Sequence, residues 1–355
     1  MTSSSNQAPV FYSENAYLKL NDFLDRSNHS AVFILVDTNT HNHCLPAFLE
    51  KLDTSKTIEV IEMDAGEEFK NIETCTGIWN ALSELGADRK GLMINLGGGV
   101  VTDLGGFVAG TFKRGIEFIN VPTSLLSMVD ASVGGKTGVD LGNLKNQIGV
   151  ITQPQMVLID PEYLSSLPAV EMRSGLAEIL KHGLIADKEY WEKTTDLQKL
   201  RLEDLEELIA ESIEIKTRIV EQDPTEQNIR KTLNFGHTLG HAIESYYLSH
   251  PDKEKLLHGE AIAIGMIMAL YISTKVSNFP ESNLREITKK ILEVFQKVKI
   301  TNKDFEKIIE LLKFDKKNTH GRINFVLLKE IGNPVIDCTV PNNLILEALE
   351  YYKNA

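Results

Sequence analysis

Cysteine is scarce in this chain of 355 residues, and its three cysteines are far apart. Cys44, Cys75 and Cys338 form no CxxC pair and are odd in number, which excludes a zinc finger and argues against a disulfide framework. Basic residues are also in the minority, because 37 Lys and Arg stand against 50 Asp and Glu and leave a net charge of −13. This balance argues against a nucleic-acid partner or a membrane partner.

Long apolar runs are missing as well. The longest, residues 261–272, contains Gly265 and is shorter than the ~20 residues that a membrane-spanning helix needs. Residues 1–9 are polar and lack the basic flank and apolar run of a signal peptide. We therefore expect a cytoplasmic protein, whose 42% hydrophobic and 25% charged residues are typical of a globular chain.

The pattern of apolar residues changes at about Pro168. Before it, short β-branched runs at residues 31–37, 57–63, 91–96, 117–121 and 156–160 alternate with helical patterns such as residues 71–85. After it, helical spacing predicts helices over residues 176–185, 202–220, 232–247, 259–274, 283–296 and 342–352, with one hairpin of residues 323–328 and 335–340. The sequence therefore predicts an α/β domain with a mainly parallel sheet over residues 1–168 and a mostly α-helical domain over residues 169–355.

Glycine is concentrated in one segment, since twelve of the 24 glycines lie between Gly97 and Gly149. Residues 96–103, LGGGVVTD, directly follow a predicted strand, where backbone amides and a helix N-terminus could hold a pyrophosphate. Tight packing of the strand on the helix would also require glycine, and both interpretations stay open. Residues 132–138, SVGGKTG, are not a Walker loop because Asp130 occupies the position of its first glycine. They predict a flexible turn that presents Lys136 beside Asp130 to an anionic substrate, or else a solvated lysine.

Histidines form the sharpest chemical signal. His237 and His241 lie four residues apart in NFGHTLGHAIE, hence on one helix face, and His258 lies in LHGEAIAIGM. Catalytic zinc sites use three ligands of the histidine and carboxylate type, and Glu178 is the best candidate carboxylate because its helix is otherwise apolar.

Spacing alone does not separate metal ligand from acid or base. Both His237 and His241 could be ligands, and His182 is a further competitor. The alternative is that these histidines are ordinary core or helix-terminal residues. Lys181, Lys216 and Arg230 lie in or near the same helical patterns, and cations beside a metal favour a phosphate or carboxylate ligand, although a solvated face is the default for Lys216.

Six motifs in order, GGGVVTD, VPTSLLSMVDASVGGKTGVD, NLKNQIG, GLAEILK, NFGHTLGHAIE and LHGEAIAIGM, closely resemble those of the 3-dehydroquinate synthase family. The resemblance runs from roughly Asp37 to Gly332. It implies a Rossmann-like NAD-binding domain followed by a metal- and substrate-binding helical domain. It also implies a lyase of the shikimate pathway that converts 3-deoxy-D-arabino-heptulosonate 7-phosphate to 3-dehydroquinate and phosphate. The implied steps are transient oxidation by NAD, phosphate elimination, re-reduction and intramolecular aldol closure, with zinc or cobalt as the metal.

Roles for individual residues follow only from this resemblance. The metal ligands it implies are Glu178, His237 and His258. The catalytic residues it implies are His241, Glu226, Asp130, Lys136 and Lys181. The substrate contacts it implies are Arg114, Asp130, Lys136, Asn146, Lys181, Lys216, Arg230 and Asn234, with Lys316 or Lys317. The NAD contacts it implies are Asp37, Asn39, Glu67, Glu68, Phe69, Lys70, Gly99, Val100, Val101, Thr102, Asp103, Thr123, Ser124, Lys145, Tyr163, Leu164, Ser165 and Ser166.

Two further expectations concern Arg114 and Glu226. In the family the residue at Arg114 reaches into the partner's site, which implies a homodimer. Gln227 and Asn228 replace residues that are often glycine in the family, which leaves the pose of Glu226 open.

Three other functions compete with this one. Another sugar-phosphate cyclase would act on sedoheptulose 7-phosphate or glucose 6-phosphate with the same NAD and metal. A metal-dependent polyol dehydrogenase would share the two-domain plan and accumulate NADH. A non-catalytic protein on this scaffold would bind NAD without turnover.

Overall fold

Buried β-branched runs in the first half of the chain form the strands of one sheet. The computed structural model describes residues 7–142, 144–195, 202–312 and 323–355, and the chain divides into two compact units, Met1–Pro168 and Ala169–Ala355. In chain order the first unit contains β1 (Val10–Tyr12), α1 (Ser13–Arg26), β2 (Val32–Asp37), α2 (Thr38–His43), α3 (Leu45–Lys51), β3 (Ile58–Met63), α4 (Ile72–Glu84), β4 (Leu92–Gly97), α5 (Gly99–Thr111), β5 (Glu117–Pro122), β6 (Lys136–Leu141), β7 (Leu144–Ile151) and β8 (Val157–Ile159).

The main sheet is parallel and has the strand order β1-β8-β5-β4-β2-β3. Every residue of β4 and nearly every residue of β2 is buried, as expected for a parallel sheet covered on both faces. The chain passes from β2 outward to β3 and then returns to β4 on the other side of β2. The crevice where this order reverses, at the carboxyl ends of β2 and β4, is where Rossmann-like sheets bind ligands.

The segment around Lys136 differs from the prediction. Gly134 and Gly135 do form a turn, with φ of +100° and +70°, but Lys136 begins β6, which pairs with β7 in a separate antiparallel hairpin. A side chain at Gly138 would lie 2.5 Å from the carbonyl oxygen of Ile148. Glycine is required here because the two strands approach each other closely. The high glycine content of this segment therefore reflects strand packing and does not mark a flexible loop.

Helices dominate the second unit. In chain order it contains α6 (Ala169–Ala186), α7 (Lys188–Thr194), α8 (Leu202–Gln222), α9 (His237–Ser249), α10 (His258–Val276), α11 (Glu281–Val294), α12 (Asn302–Leu311), β9 (Asn324–Glu330), β10 (Asn333–Thr339) and α13 (Asn342–Asn354). The fold class predicted from the sequence, a Rossmann-like α/β domain followed by a mostly helical domain, is confirmed.

Helix α10 is the core element of the second unit and packs on α6, α9, α11, α13 and β9. Among the described residues it is the one helix long and apolar enough to cross a membrane, but 72% of its apolar window is buried inside the protein. Its hydrophobicity on all sides is that of a helix surrounded by other elements of the fold.

The start of α9 also differs from the prediction. In place of a helix from residue 232, a 3-10 turn spans Ile229–Asn234, and Gly236 adopts φ +77° before the helix begins at His237. A side chain at Gly236 would lie 2.9 Å from the backbone nitrogen of Met266 on α10. This close approach and the left-handed backbone both require glycine, and they place His237 at the first position of the helix.

Glycine also sets the spacing of α9 and α10. A Cβ at Gly265 would lie 2.0 Å from the carbonyl oxygen of Gly236 and 2.7 Å from the backbone nitrogen of Gly240. The two helix backbones are therefore in direct contact, which brings the histidines of α9 close to the first residue of α10.

We expect Gly265→Ala to destabilise the protein by about 1–3 kcal/mol, because the added methyl group must push two backbones apart. Gly77→Ala is the matched control, since Gly77 lies inside the exposed face of α4 with no atom within 4 Å of the added Cβ. The control should be stabilised by about 0.5–1 kcal/mol, because alanine is the better helix former. Denaturant unfolding followed by circular dichroism measures both changes. Equal stability of Gly265→Ala and the unsubstituted chain would contradict the backbone contact.

Candidate active site

Three histidines of the second unit meet where α9 and α10 begin. The ring centroids of His237 and His241 are 5.2 Å apart, those of His237 and His258 are 5.5 Å apart, and those of His241 and His258 are 5.7 Å apart. Each ring offers a nitrogen within 4.8 Å of the others. The predicted clustering of these side chains is therefore present within one unit.

Glu178 on α6 completes this cluster. It is fully buried, and its Oε1 lies 3.5 Å from Nε2 of His237 and 3.8 Å from Nε2 of His258. Oε1 accepts no hydrogen bond from the described residues. A buried carboxylate oxygen that lacks a hydrogen bond and faces two imidazole nitrogens leaves room for a cation between them, and two nitrogens with one oxygen are a typical donor set for catalytic zinc. Zinc and cobalt both fit these donors.

Backbone packing also sets the distance between His258 and Glu178. Gly259, directly after His258, donates its backbone N–H to Ser174 Oγ on α6 at 3.0 Å. A Cβ at Gly259 would lie 2.2 Å from the carbonyl oxygen of Ser174. The first turn of α10 therefore lies directly on the helix that carries Glu178.

The charges around Glu178 favour its ionised form. Burial alone would raise its pKa, but Lys181, His237 and His258 outweigh burial and hold the pKa well below the usual value. The Lys181 ammonium group donates a hydrogen bond to the other carboxylate oxygen, Oε2. Burial likewise opposes protonation of His258, yet Glu244 and Glu178 raise its pKa to about 9. The site is thus built to stabilise positive charge next to a buried carboxylate.

The other candidate histidines, His182 and His241, have further contacts of their own. His182 lies four residues after Glu178 and is fully buried, with Nδ1 2.6 Å from Ser212 Oγ on α8. His241 is half-buried and packs one helical turn after His237. The ion-pair contacts of Glu178 with His237 and His258 support those two as the nitrogen ligands.

Glu244 is a residue of this cluster that the sequence analysis missed. It lies on α9 and its Oε2 is 3.3 Å from Nδ1 of His258. The signal was present in the sequence, because Glu244 follows His241 by three residues and His237 by seven, which is the spacing of one helix face.

Besides Lys181, two further predicted substrate-binding cations of the second unit are buried. Lys216 on α8 and Arg230 in the 3-10 turn are 6% and 3% exposed. The solvated face that is the default for a helical lysine is therefore wrong for Lys216. Arg230 donates from Nη1 to the carbonyl oxygen of Pro224 at 2.7 Å.

The segment around Glu226 is fixed by a carboxylate. Asp223 accepts hydrogen bonds from the backbone N–H groups of Gln227, Asn228 and Arg230 at 2.9, 2.6 and 3.1 Å. Glu226 itself adopts φ +59°, and its Oε1 accepts a hydrogen bond from Asn234 Nδ2 at 2.7 Å. Although Gln227 and Asn228 are not glycine, their amides define the turn and Asn234 holds the Glu226 carboxylate.

In the first unit, predicted NAD-binding residues flank the reversal point of the sheet. Asp37 ends β2, where its carboxylate caps α2 by accepting from the Thr40 amide at 2.8 Å, and Asn39 lies in that helix. Gly99 begins α5 two residues after β4 ends. The glycine run packs tightly at its first residue and leaves more space at the next two. A Cβ at Gly97 would collide with Val101 at 2.6 Å, whereas Cβ atoms at Gly98 and Gly99 would have their nearest neighbours at 3.4 Å.

The remaining predicted residues at this edge follow strand and helix ends. Val100, Val101, Thr102 and Asp103 form the first turns of α5. Thr123 follows β5 and donates its backbone N–H to the Gly97 carbonyl oxygen at 3.0 Å, and the Ser124 hydroxyl lies 3.0 Å from the Ser127 hydroxyl.

A buried lysine joins several of the predicted contacts. Lys70, 5% exposed, donates to Asp103 Oδ2 at 2.6 Å and to Asn146 Oδ1 at 2.8 Å. Burial would lower the pKa of Lys70, but the carboxylates of Asp103 and Glu67 outweigh burial and raise it. Lys145 donates to Glu67 Oε1 at 3.1 Å, close to Glu68 and Phe69 in a 3-10 turn. Residues from three separate segments thus form one polar network.

Two predicted NAD contacts in the turn Pro161–Ser166 are buried, although side chains that touch a cofactor are expected to be accessible. Tyr163 and Leu164 are 6% and 3% exposed, and the Tyr163 hydroxyl lies 2.9 Å from the Tyr17 hydroxyl. The hydroxyls of Ser165 and Ser166 donate to the carbonyl oxygens of Glu162 and Tyr163.

The other predicted catalytic and substrate residues of the first unit lie in or next to segments of unusual backbone conformation. Asp130 is half-buried in the π-helical segment Ser127–Ala131, a form that is frequent at functional sites, and Lys136 is exposed. Asn146 has φ +52°, and Arg114 is exposed with φ +73° directly after Lys113 with φ +49°. Lys316 and Lys317 lie outside the described residues.

Comparisons with known proteins extend over almost the whole chain. Residues 60–174 match the family model for the 3-dehydroquinate synthase N-terminal domain, and residues 175–318 match the model for the C-terminal domain. The curated 3-dehydroquinate synthase of Parabacteroides distasonis is 42% identical over 339 residues, which cover 95% of each chain.

Two solved structures of similar fold each contain NAD+ and a divalent metal ion. A 2-deoxy-scyllo-inosose synthase complexed with carbaglucose-6-phosphate, NAD+ and Co2+ has a TM-score of 0.84 at 26% identity and covers 98% of this chain and 99% of its own. The 2-epi-5-epi-valiolone synthase from Streptomyces hygroscopicus subsp. jinggangensis 5008, with NAD+ and Zn2+ bound, has a TM-score of 0.85 at 25% identity and covers 100% and 99%. Since the family models span most of the chain and a curated member is similar over nearly its whole length, this chain belongs to the 3-dehydroquinate synthase family.

Proposed function

We propose that this chain converts 3-deoxy-D-arabino-heptulosonate 7-phosphate to 3-dehydroquinate and phosphate, as a carbon–oxygen lyase of the shikimate pathway. The observation that carries the proposal is the buried Glu178 oxygen that faces two imidazole nitrogens, in a chain 42% identical to a 3-dehydroquinate synthase. The cofactors are NAD+ and a divalent zinc or cobalt ion, both of which accompany similar structures.

Glu178, His237 and His258 would hold the divalent ion. When bound, the ion supplies a Lewis acid for two adjacent substrate oxygens, and NAD+ supplies a temporary acceptor for one hydride. Lys181 keeps the Glu178 carboxylate charged by its hydrogen bond to Oε2. The family resemblance also assigns Lys181 to the substrate.

We assign proton transfer to side chains that lie beside the proposed metal ligands. His241 is half-buried next to His237, and an imidazole in this position can act as a general acid or base. The Glu226 carboxylate is assigned as a further proton acceptor besides His241. Asn234 orients it by donating from Nδ2 to Oε1. The departing phosphate is assigned to Lys136, Asn146 and His241, and Asp130 is assigned to the substrate as well.

The buried cations favour a substrate that carries a carboxylate. The family resemblance assigns Lys216 and Arg230 to the substrate, and two cations suit a ligand that carries a carboxylate or phosphate. Asn234 supplies a neutral donor in the same segment. A sugar acid phosphate satisfies these groups better than sedoheptulose 7-phosphate, glucose 6-phosphate or a polyol, none of which carries a carboxylate.

NAD binding is assigned to the first unit, residues 1–168. The reversal point of the sheet, the open amides at the start of α5 and the Lys70 network support this assignment. Residues 169–355 would then form the metal- and substrate-binding domain. The buried positions of Tyr163 and Leu164 favour contact through backbone atoms in their turn.

We also propose a homodimer in the cytoplasm. Arg114 and Lys113 both adopt left-handed backbone conformations, which cost free energy outside glycine, and they hold Arg114 exposed on the surface. Such a presentation supports an arginine that serves the partner subunit. The acidic net charge supports the absence of nucleic-acid and membrane partners.

One assay tests the reaction. Purified protein is given the heptulosonate phosphate, with and without a chelator, and phosphate and NADH are followed together. We expect phosphate release that the chelator abolishes and no net NADH, because the hydride returns to the substrate. Accumulation of NADH with a polyol would contradict the proposal in favour of a dehydrogenase. Phosphate release only from sedoheptulose 7-phosphate or glucose 6-phosphate would contradict it in favour of another cyclase, and NAD binding without turnover would indicate a non-catalytic protein.

Substitutions separate metal ligation from proton transfer. His237→Ala should lose both stoichiometric zinc and turnover, because one of three ligands is gone. His241→Ala should keep its zinc and lose about 10²–10⁴-fold in kcat, the usual contribution of a general acid or base. His43→Ala, at an exposed position of α2, should change neither. Zinc content by elemental analysis and the phosphate assay give the result, and loss of zinc from His241→Ala alone would reverse the two roles.

A further inference from the structure

The two candidate histidine ligands share one arrangement of their ring nitrogens. Nε2 of each faces Oε1 of Glu178, and Nδ1 of each faces a hydrogen-bond acceptor. For His237 the acceptor is the carbonyl oxygen of Phe235, at 3.1 Å. For His258 it is the carboxylate oxygen Oε2 of Glu244, at 3.3 Å. Because a carbonyl and a carboxylate oxygen accept hydrogen bonds, both rings donate from Nδ1, and Nε2 is the nitrogen left to face Glu178.

We propose that Glu244 is a positioning residue for the divalent metal, acting through His258. It fixes the tautomer and the rotation of the His258 ring, so that Nε2 is available as a ligand before the ion arrives. The proposal rests on the proposed metal site and adds to it a residue outside the set of ligands. A histidine that ligates a metal commonly donates its other N–H to a carboxylate, which raises the basicity of the ligating nitrogen.

The position of Glu244 suits this role. Its side chain is nearly inaccessible to solvent and projects from the face of α9 that also carries His237 and His241. A buried carboxylate is costly unless it interacts with a donor or a positive charge. The contact with Nδ1 of His258 joins α9 to the first residue of α10 and provides such an interaction.

His258 needs an orienting partner more than His237 does. Both residues begin their helices, but the side chain of His258 is 24% exposed, whereas that of His237 is 10% exposed. The surrounding protein therefore constrains the His258 ring less. The His237 ring is held by a backbone carbonyl that substitution cannot remove, so the Glu244 contact is the one that an experiment can test.

Metal affinity is the direct test, because it does not depend on turnover. The full-length protein is stripped with a chelator and titrated with Zn2+ in competition with a chromophoric chelator. Glu244→Leu should weaken binding by about 10–100-fold. Glu244→Gln should lose less, because its amide oxygen can still accept from Nδ1. With saturating Co2+, the visible absorption bands of Glu244→Leu should shift, and those of Glu244→Gln should stay near the unsubstituted protein.

Asp304→Asn is the matched control. Asp304 is as buried as Glu244 and lies in the same unit, but its carboxylate accepts from the Tyr246 hydroxyl at 2.7 Å and from Lys253 Nζ at 3.0 Å. Its loss should lower stability towards denaturant and leave zinc affinity unchanged. This separates the orientation of a ligand from the general effect of removing a buried carboxylate.

Three outcomes would overturn the proposal. Zinc affinity and Co2+ spectra of Glu244→Leu equal to those of the unsubstituted protein would exclude a positioning role. An equal loss of affinity in Asp304→Asn would show a general structural effect. An unsubstituted chain that binds no metal would contradict the metal site and the role of Glu244 together. Tight zinc binding without phosphate release would contradict the proposed reaction alone and leave the role of Glu244 supported.

Discussion

A buried carboxylate without a hydrogen bond on one of its oxygens is the constraint on which the second unit depends. Glu178 lies in the buried part of α6, and the Lys181 ammonium group compensates only one of its two oxygens. The other oxygen faces the imidazoles of His237 and His258. Such a group is costly in a protein interior unless a cation compensates it. The same feature that costs folding free energy therefore supports the proposed site for a divalent ion.

The packing of α6, α9 and α10 sets the geometry of the proposed metal site. Contact between glycine and the facing backbone holds α10 against α9 at Gly265 and against α6 at Gly259. Each contact lies close to a functional side chain, because His237 starts α9 and His258 starts α10. The core helix is therefore also the element that fixes the distances between the proposed ligands. In the first unit a reversal of strand order places loop residues at one edge of a rigid sheet, which is a general solution for binding a dinucleotide.

Much of this organisation could be predicted from the sequence, and the remainder has physical reasons. The strands of the parallel sheet are recognisable because strands buried on both faces are continuous apolar runs. The start of α9 was not predictable, since the left-handed Gly236 and its contact with Met266 are tertiary features. The burial of Lys216 likewise depends on what packs over α8. The sequence motifs predicted that His237, His241 and His258 form one site. Only the position of Glu178 distinguishes His237 and His258 from His241. The role of Glu244 was not predicted, because its contact with His258 depends on how α9 packs against α10.

X-ray absorption at the metal edge of the protein loaded with zinc or cobalt tests the central claim most directly, since it reports the atoms bound to the ion. The account predicts scattering from two imidazole rings and one carboxylate, with metal–ligand distances of about 2.0–2.2 Å. Three imidazole rings would bring His241 into the coordination sphere and contradict the assignment of Glu178, His237 and His258. Scattering from sulfur, or from oxygen alone, would place the ion elsewhere in the protein.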